Sequence, residues 1–293
     1  MSAAMTARPL PPWRSLLYVP VIQERFVARA HERGADVVIL DLEDSVPLEA
    51  KPAAREGLAA AATSAGQAGA AICVRINRPL DMAVADIAAA VMPDVTALLL
   101  PKLMGPEHVR LLSELVTARE AALGLPAGHT RFIGAVETPA ALPHLAGIAS
   151  ADPRMVALGL GSEDLSTEME AQPSADLLYP LGLMLVAAAR GAGILPMGSV
   201  GPFADFSDLE AYRAGLRRSR RLGFACASCI HPTQVPIINA EYGPTTEEVD
   251  RARRLLATWD AALARGDGAV AFEGQMVDPP VAERARRLLA RAR

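Results

Sequence analysis

Two acidic residues stand where short apolar runs end. Glu137 follows FIGAV, and Asp164 follows MVALGL and the turn Gly161-Ser162-Glu163. Carboxylates on adjacent strand ends face one shared point. Mg²⁺ takes one or two such carboxylates and leaves the rest of its octahedron to water and substrate. The same residues also read as helix N-terminal acids, which offset the helix dipole. Glu163 is an alternative ligand that spacing does not separate from Asp164. Gly159 and Gly161 would let backbone N–H groups approach an anion closely.

Around this pair the sequence offers weaker candidates. VVIL runs into Asp41-Leu42-Glu43-Asp44-Ser45, and so many carboxylates together need water, pairing or a cation. They read as support for metal-bound water or as a capping turn. Arg75, inside VRIN, either pairs within the fold or offers its planar fork to a carboxylate. Lys102, after LLLP, reads as a solvated strand-end lysine. The loop Gly198-Ser199-Val200-Gly201 suits a phosphate or a plain turn. His231-Pro232 has no metal-spaced partner and reads as structural. There is no Ser–His–Asp logic, no P-loop and no dinucleotide fingerprint.

Strands that would position these residues are expected at 15–19, 37–42, 72–77, 97–100, 132–136, 155–160, 194–197 and 225–230. Their unbroken apolar character suits strands buried on both faces. Helices are expected between them, at 23–33, 48–65, 82–92, 106–123, 139–149, 175–192, 208–222 and 233–240, with Pro106 and Pro139 in first turns. Eight alternations predict an α/β fold, a (β/α)₈ TIM barrel over residues 1–243, whose site lies at the C-terminal strand ends. A helical extension over 244–293 follows: a helix at 245–264, a break at 266–268, a lead-in at 272–278 and a last helix from Pro279.

Composition agrees with that class. The 293 residues are 51% hydrophobic and 4% aromatic, so Ala, Leu and Val must fill the core. A net charge of −4 lacks the basic footprint of a nucleic-acid binder. The arginine runs at 217–221 and 284–293 read as solvated helix faces or as a patch for an acidic ligand such as coenzyme A. Cys73, Cys226 and Cys229 make no disulfide framework, which predicts a reducing, cytoplasmic setting. No apolar run is long enough to span a bilayer, and 1–13 reads as a Pro-rich arm.

The ordered segments RSLLYVP at 14–20, DLEDSV at 41–46, VRIN at Arg75, LLLPK to Lys102, ETPAAL from Glu137, GLGSEDLS around Asp164, CIHPTQV around His231 and GQMVDPPV around Asp278 together resemble the citrate lyase beta-subunit-like family, within the HpcH/HpaI aldolase and malyl-CoA lyase superfamily. The resemblance implies a (β/α)₈ barrel in a trimer-based homo-oligomer, with Mg²⁺ held by Glu137 and Asp164. Arg75 would hold the carboxylate of an oxo-acid fragment, and Gly161, Ser162 and Glu43 would attend substrate and metal water. Asp278 would enter a neighbouring subunit's site as the acid–base group. The implied reaction makes or breaks a carbon–carbon bond in a 3-hydroxyacyl-CoA thioester of the malyl or citramalyl type.

The chain departs from the family pattern at Val21, at Pro180-Leu181-Gly182, at Met197-Gly198-Ser199-Val200 and at Cys226-Ala227. The third and fourth lie near the expected coenzyme. A lyase or aldolase for free acids, or a non-catalytic subunit, are the competing readings.

Overall fold

The computed structural model describes residues 9–200 and 208–292. Eight parallel strands form one sheet: β1 (Ser15–Pro20), β2 (Val37–Asp41), β3 (Ala71–Arg75), β4 (Ala97–Leu100), β5 (Arg131–Val136), β6 (Met155–Leu160), β7 (Leu195–Met197) and β8 (Ala227–Cys229). Their order is β7-β6-β5-β4-β3-β2-β1-β8. A parallel bridge from Met197 to Cys226 closes the ring, reinforced by Gly198 N–H donating to Cys226 O at 2.9 Å. The fold is therefore the expected (β/α)₈ barrel.

Around it run α1 (Glu24–Ala30), α2 (Lys51–Glu56), α3 (Leu58–Gly66), α4 (Leu80–Ala90), α5 (Pro106–Ala122), α6 (Leu145–Ala149), α7 (Ser162–Glu168), α8 (Ala175–Gly191), α9 (Leu209–Leu222) and α10 (Gln234–Tyr242). Three expected helices differ. The one at 23–33 ends at Ala30 and continues as a 3₁₀ turn to Arg33. The one at 48–65 begins with a 3₁₀ turn and kinks at Gly57, which separates α2 from α3. The one at 139–149 is 3₁₀ through His144, because Pro143 has no N–H for a regular α-helical turn there. The short α7, which carries Asp164, has no counterpart among the sequence expectations.

Alternation along the strands sends Leu16, Val37, Ile39, Cys73, Ala97, Leu99, Ile133, Ala135, Ala157, Leu195 and Met197 into one buried cluster inside the barrel. Away from that cluster, Arg154 is nearly sealed and uses its whole guanidinium. It bonds Glu120 Oε1 and Oε2, both at 2.7 Å, together with Ser113, Thr117 and the Thr130 carbonyl.

The chain divides into two compact units, one running to Asn239 and the other starting at Ala240. In the second, α11 (Thr246–Ala264) opens with a capping box between Thr245 and Glu248. A hairpin of β9 (Val270–Phe272) and β10 (Gln275–Val277) follows, where the sequence predicted only a lead-in. Its turn, Glu273-Gly274, has both residues at positive φ, as a tight hairpin requires. Then α12 (Pro279–Leu289) packs Ala282 and Ala285 against Leu255 and Trp259 of α11. Among the described residues, no helix is long and apolar enough to cross a membrane.

Candidate active site

Strand alternation places the chemistry. In β2 the inward residues Val37 and Ile39 are followed in phase by Asp41; in β3, Ala71 and Cys73 lead to Arg75; in β5, Ile133 and Ala135 lead to Glu137. All three polar groups therefore cap the barrel's interior column at its C-terminal mouth. Asp41 and Arg75 are register partners across β2 and β3. Lys102, after β4, falls out of phase with Ala97 and Leu99. It sits at φ 48, and a left-handed kink is uncommon outside glycine. There its backbone N–H donates to Glu137 Oε2 at 3.1 Å, while its ammonium donates to Glu43 Oε1 at 2.9 Å.

Arg75 grips Asp41 with two parallel bonds, Nε to Oδ1 at 2.7 Å and Nη2 to Oδ2 at 2.8 Å. Its Nη1 donates to Asp44 at 3.2 Å. It also lies 2.8 Å from Glu43 Oε2, an ion pair by distance in which that oxygen has no aligned hydrogen bond. The Tyr18 ring lies 5.0 Å from the guanidinium carbon. Of the two sequence readings for Arg75, the internal pair is thus present, and the fork faces Asp41. Burial raises the Asp41 pKa, but Arg75 outweighs it and leaves the carboxyl below its usual range. For Glu43 burial wins over Arg75 and Lys102, and the pKa is raised.

Glu137 is 5% exposed. Burial, followed by the charges of Glu43 and Asp164, pushes its carboxyl up to about 7, against partial relief from Lys102 and Arg75. Gly161 makes room for it: a Cβ there would stand 2.8 Å from Glu137 Oε1 and 2.9 Å from Cδ. Gly159 does the same for Met197.

For Gly161 the expectation of an N–H group turned to an anion is corrected. The N–H of Gly161 is spent on Val136 O at 3.0 Å. The phosphate reading of loop seven is corrected likewise: Gly198 N–H closes the barrel and Val200 N–H bonds Ser219 Oγ at 3.0 Å, while Gly201 lies outside the described residues.

The mouth encloses a pocket of about 460 Å³ lined by Tyr18, Asp41, Arg75, Glu137, Ser162 and Asp164, among others. Five carboxylates, those of Asp41, Asp44, Glu137, Glu163 and Asp164, meet one guanidinium in that lining. Such a pocket repels anions unless a cation is present. The all-oxygen donors suit a hard divalent ion. Among the described residues no group of three or more His, Cys, Asp or Glu forms a closed metal cage, so protein ligands would be few, as Mg²⁺ tolerates. Of the two acids in the first turn of α7, Glu163 is exposed and Asp164 half-buried. Asp164 is the one whose charge raises the Glu137 pKa.

A larger groove of about 520 Å³ lies among α1, α2 and α3, but among the described residues Glu24 alone brings a charge to its lining. The chemistry belongs to the strand-end pocket.

The structure thus brings Glu43, Arg75, Glu137, Gly161, Ser162 and Asp164 to one mouth. Asp278 lies in the second unit, where it N-caps α12 by accepting from Val281 N–H at 3.2 Å. His231 Nδ1 lies 2.7 Å from Thr233 Oγ1, and all three cysteines are buried and outside any disulfide. Sequence reasoning missed Tyr18 and the Lys102 backbone. The strand period of β1 signals Tyr18, which lies in phase with Leu16, but no local signal marks the kink at Lys102.

Residues 14–232 match the model of the family described as HpcH/HpaI aldolase/citrate lyase. The chain is 33% identical to the citrate lyase subunit beta of Leuconostoc mesenteroides subsp. cremoris, over 94% of this chain and 92% of that protein. It is 33% identical to the L-malyl-CoA/beta-methylmalyl-CoA lyase of Cereibacter sphaeroides, over 93% and 92% respectively. The crystal structure of Mycobacterium tuberculosis CitE in complex with magnesium, acetoacetate and coenzyme A superposes with a TM-score of 0.74 at 33% identity, covering 96% of this chain and 98% of that one.

Proposed function

Because the chain belongs to the HpcH/HpaI aldolase/citrate lyase family, we propose that it is a Mg²⁺-dependent carbon–carbon lyase for a 3-hydroxyacyl-CoA thioester of the malyl or citramalyl type. The observation that carries the metal is the pocket itself, five carboxylates against one guanidinium, with the Glu137 carboxyl pushed up to about 7 by burial and then by the charges of Glu43 and Asp164. Relatives with malyl-CoA in their name and a neighbour holding magnesium and coenzyme A point the same way.

Glu137 and Asp164 would hold the ion. When bound, Mg²⁺ supplies Lewis acidity that lowers the pKa of the substrate's hydroxyl and steadies charge on the oxygen that becomes a carbonyl. Arg75, locked in orientation by Asp41, would attract and orient the substrate carboxylate. Glu43 would accept hydrogen bonds from water at the ion, and Gly161 and Ser162 would border the bound acid. Asp278 would come from a neighbouring subunit of a trimer-based assembly. It would protonate the α-carbon of the departing acyl-CoA enolate during cleavage and remove that proton during condensation.

Incubation with malyl- and citramalyl-type thioesters is expected to release an oxo acid only with Mg²⁺, and EDTA to abolish the release. No oxo acid from any of these thioesters overturns the reading. Turnover of free hydroxy acids, with no thermal shift from coenzyme A, would move the substrate class to free acids; the departures at Met197 and Ala227 are where such a change would arise. For the shared site, mixing inactive Asp278→Ala subunits with inactive Glu137→Gln subunits is expected to restore part of the activity. Mixtures as inactive as their parents would place Asp278 in its own subunit's site, and an Asp278→Ala parent that turns over normally would place it outside the chemistry.

A further inference from the structure

Next to the main pocket is a small annex of about 20 Å³, room for about one water molecule. Leu160, Ser162, Met197 and Ser228 line both spaces, and Leu178 and Phe224 add apolar lining to the annex. Ser162 is 5% exposed, and its Oγ has no hydrogen-bond partner among the described residues. A buried hydroxyl left unpaired is costly, and buried polar groups are satisfied as a rule. The unmet partner therefore belongs to something that enters the site.

Topology says which end of a ligand would supply it. The annex is walled by residues at the ends of β6, β7 and β8, and β7 stands four strands from β3 in either direction round the ring. Arg75 ends β3. An acid whose carboxylate is turned toward Arg75, as in the function proposed above on which this step rests, directs its opposite end at the annex.

We infer that this annex is the specificity subsite for the oxo acid and receives one small hydroxyl-bearing substituent, hydrogen-bonded by Ser162 Oγ. A methyl group fits the same volume but leaves Ser162 unsatisfied, whereas a hydroxymethyl group satisfies it. Anything larger meets Met197 and Phe224.

The test is titration calorimetry of the full chain in MgCl₂ with pyruvate and with hydroxypyruvate, which differ by that hydroxyl. Wild type is expected to bind hydroxypyruvate about tenfold more tightly, the size of one net hydrogen bond. Ser162→Ala is expected to bring the ratio of the two dissociation constants to about one. Equal affinities in the wild type, which needs no variant to interpret, overturn the subsite and leave the annex a water site. A preference that survives in Ser162→Ala overturns the role of its hydroxyl. Failure of either acid to bind with Mg²⁺ is a different result, because it removes the metal and oxo-acid reading as well.

Discussion

Glu137→Gln is expected to leave a protein that is more stable at neutral pH than the parent and is inactive. In the metal-free protein, burial and the charges of Glu43 and Asp164 raise the Glu137 pKa from 4.5 to about 7. The folded state thus holds this proton more tightly than the unfolded chain does. Its contribution is favourable below pH 4.5 and is lost as pH rises through about 7. A displacement of that size is worth about 3 kcal/mol at most, since one pKa unit is about 1.4 kcal/mol.

Glutamine keeps an oxygen to accept from Lys102 N–H but carries no charge. The stability difference between variant and parent, read by urea unfolding without metal, is expected to grow with pH across that window. Turnover with Mg²⁺ is expected to fall by about 10³-fold, because the Lewis acid contributes several kcal/mol to the transition state. Gly161→Ala tests the same carboxylate from outside, since its methyl would displace the Glu137 side chain; weaker Mg²⁺ binding is expected there too. A Glu137→Gln protein that is less stable than the parent at pH 8, or that turns over normally, would show that Glu137 serves the fold and not a metal.

The opposite signature is expected for Arg154 and Glu120, whose side chains are each 1% exposed. Burial works to raise the Glu120 pKa, but Arg154 and the backbone N–H groups of Thr130 and Gly128 outweigh it and hold the carboxyl below its usual range. Glu120→Ala would strand a guanidinium with no counter-charge, at a cost of about 3–5 kcal/mol. For a chain of this size the melting temperature should fall by about 10 °C, with the lyase constants at low temperature unchanged. The double replacement Glu120→Leu with Arg154→Met is expected to recover most of the loss, because an apolar pair of similar volume suits that interior. Thermal unfolding of the three proteins decides it. If Glu120→Ala melts with the parent, the pair contributes nothing to stability.

The barrel was legible in the sequence because its signal is local. Eight apolar runs alternating with helical patterns, such as 97–100 before Pro106, admit few arrangements other than a closed parallel sheet. The acids at strand ends, Glu137 and Asp164, were legible for the same reason: the fold class fixes which end of a strand carries chemistry.

Which side of each strand a residue faces, and what it meets there, was decided only by the tertiary structure. Arg75 read either as an internal pair or as an anion-binding fork until the register set it opposite Asp41. Gly161 read as backbone for an anion, yet its missing side chain is the space that Glu137 fills. Lys102 read as solvated, yet a left-handed kink turns it onto two acids. Strand period and composition are properties of neighbours along the chain. Charge pairing, close approach and the pKa of a buried acid depend on residues tens of positions apart, and only closure of the barrel brings those together.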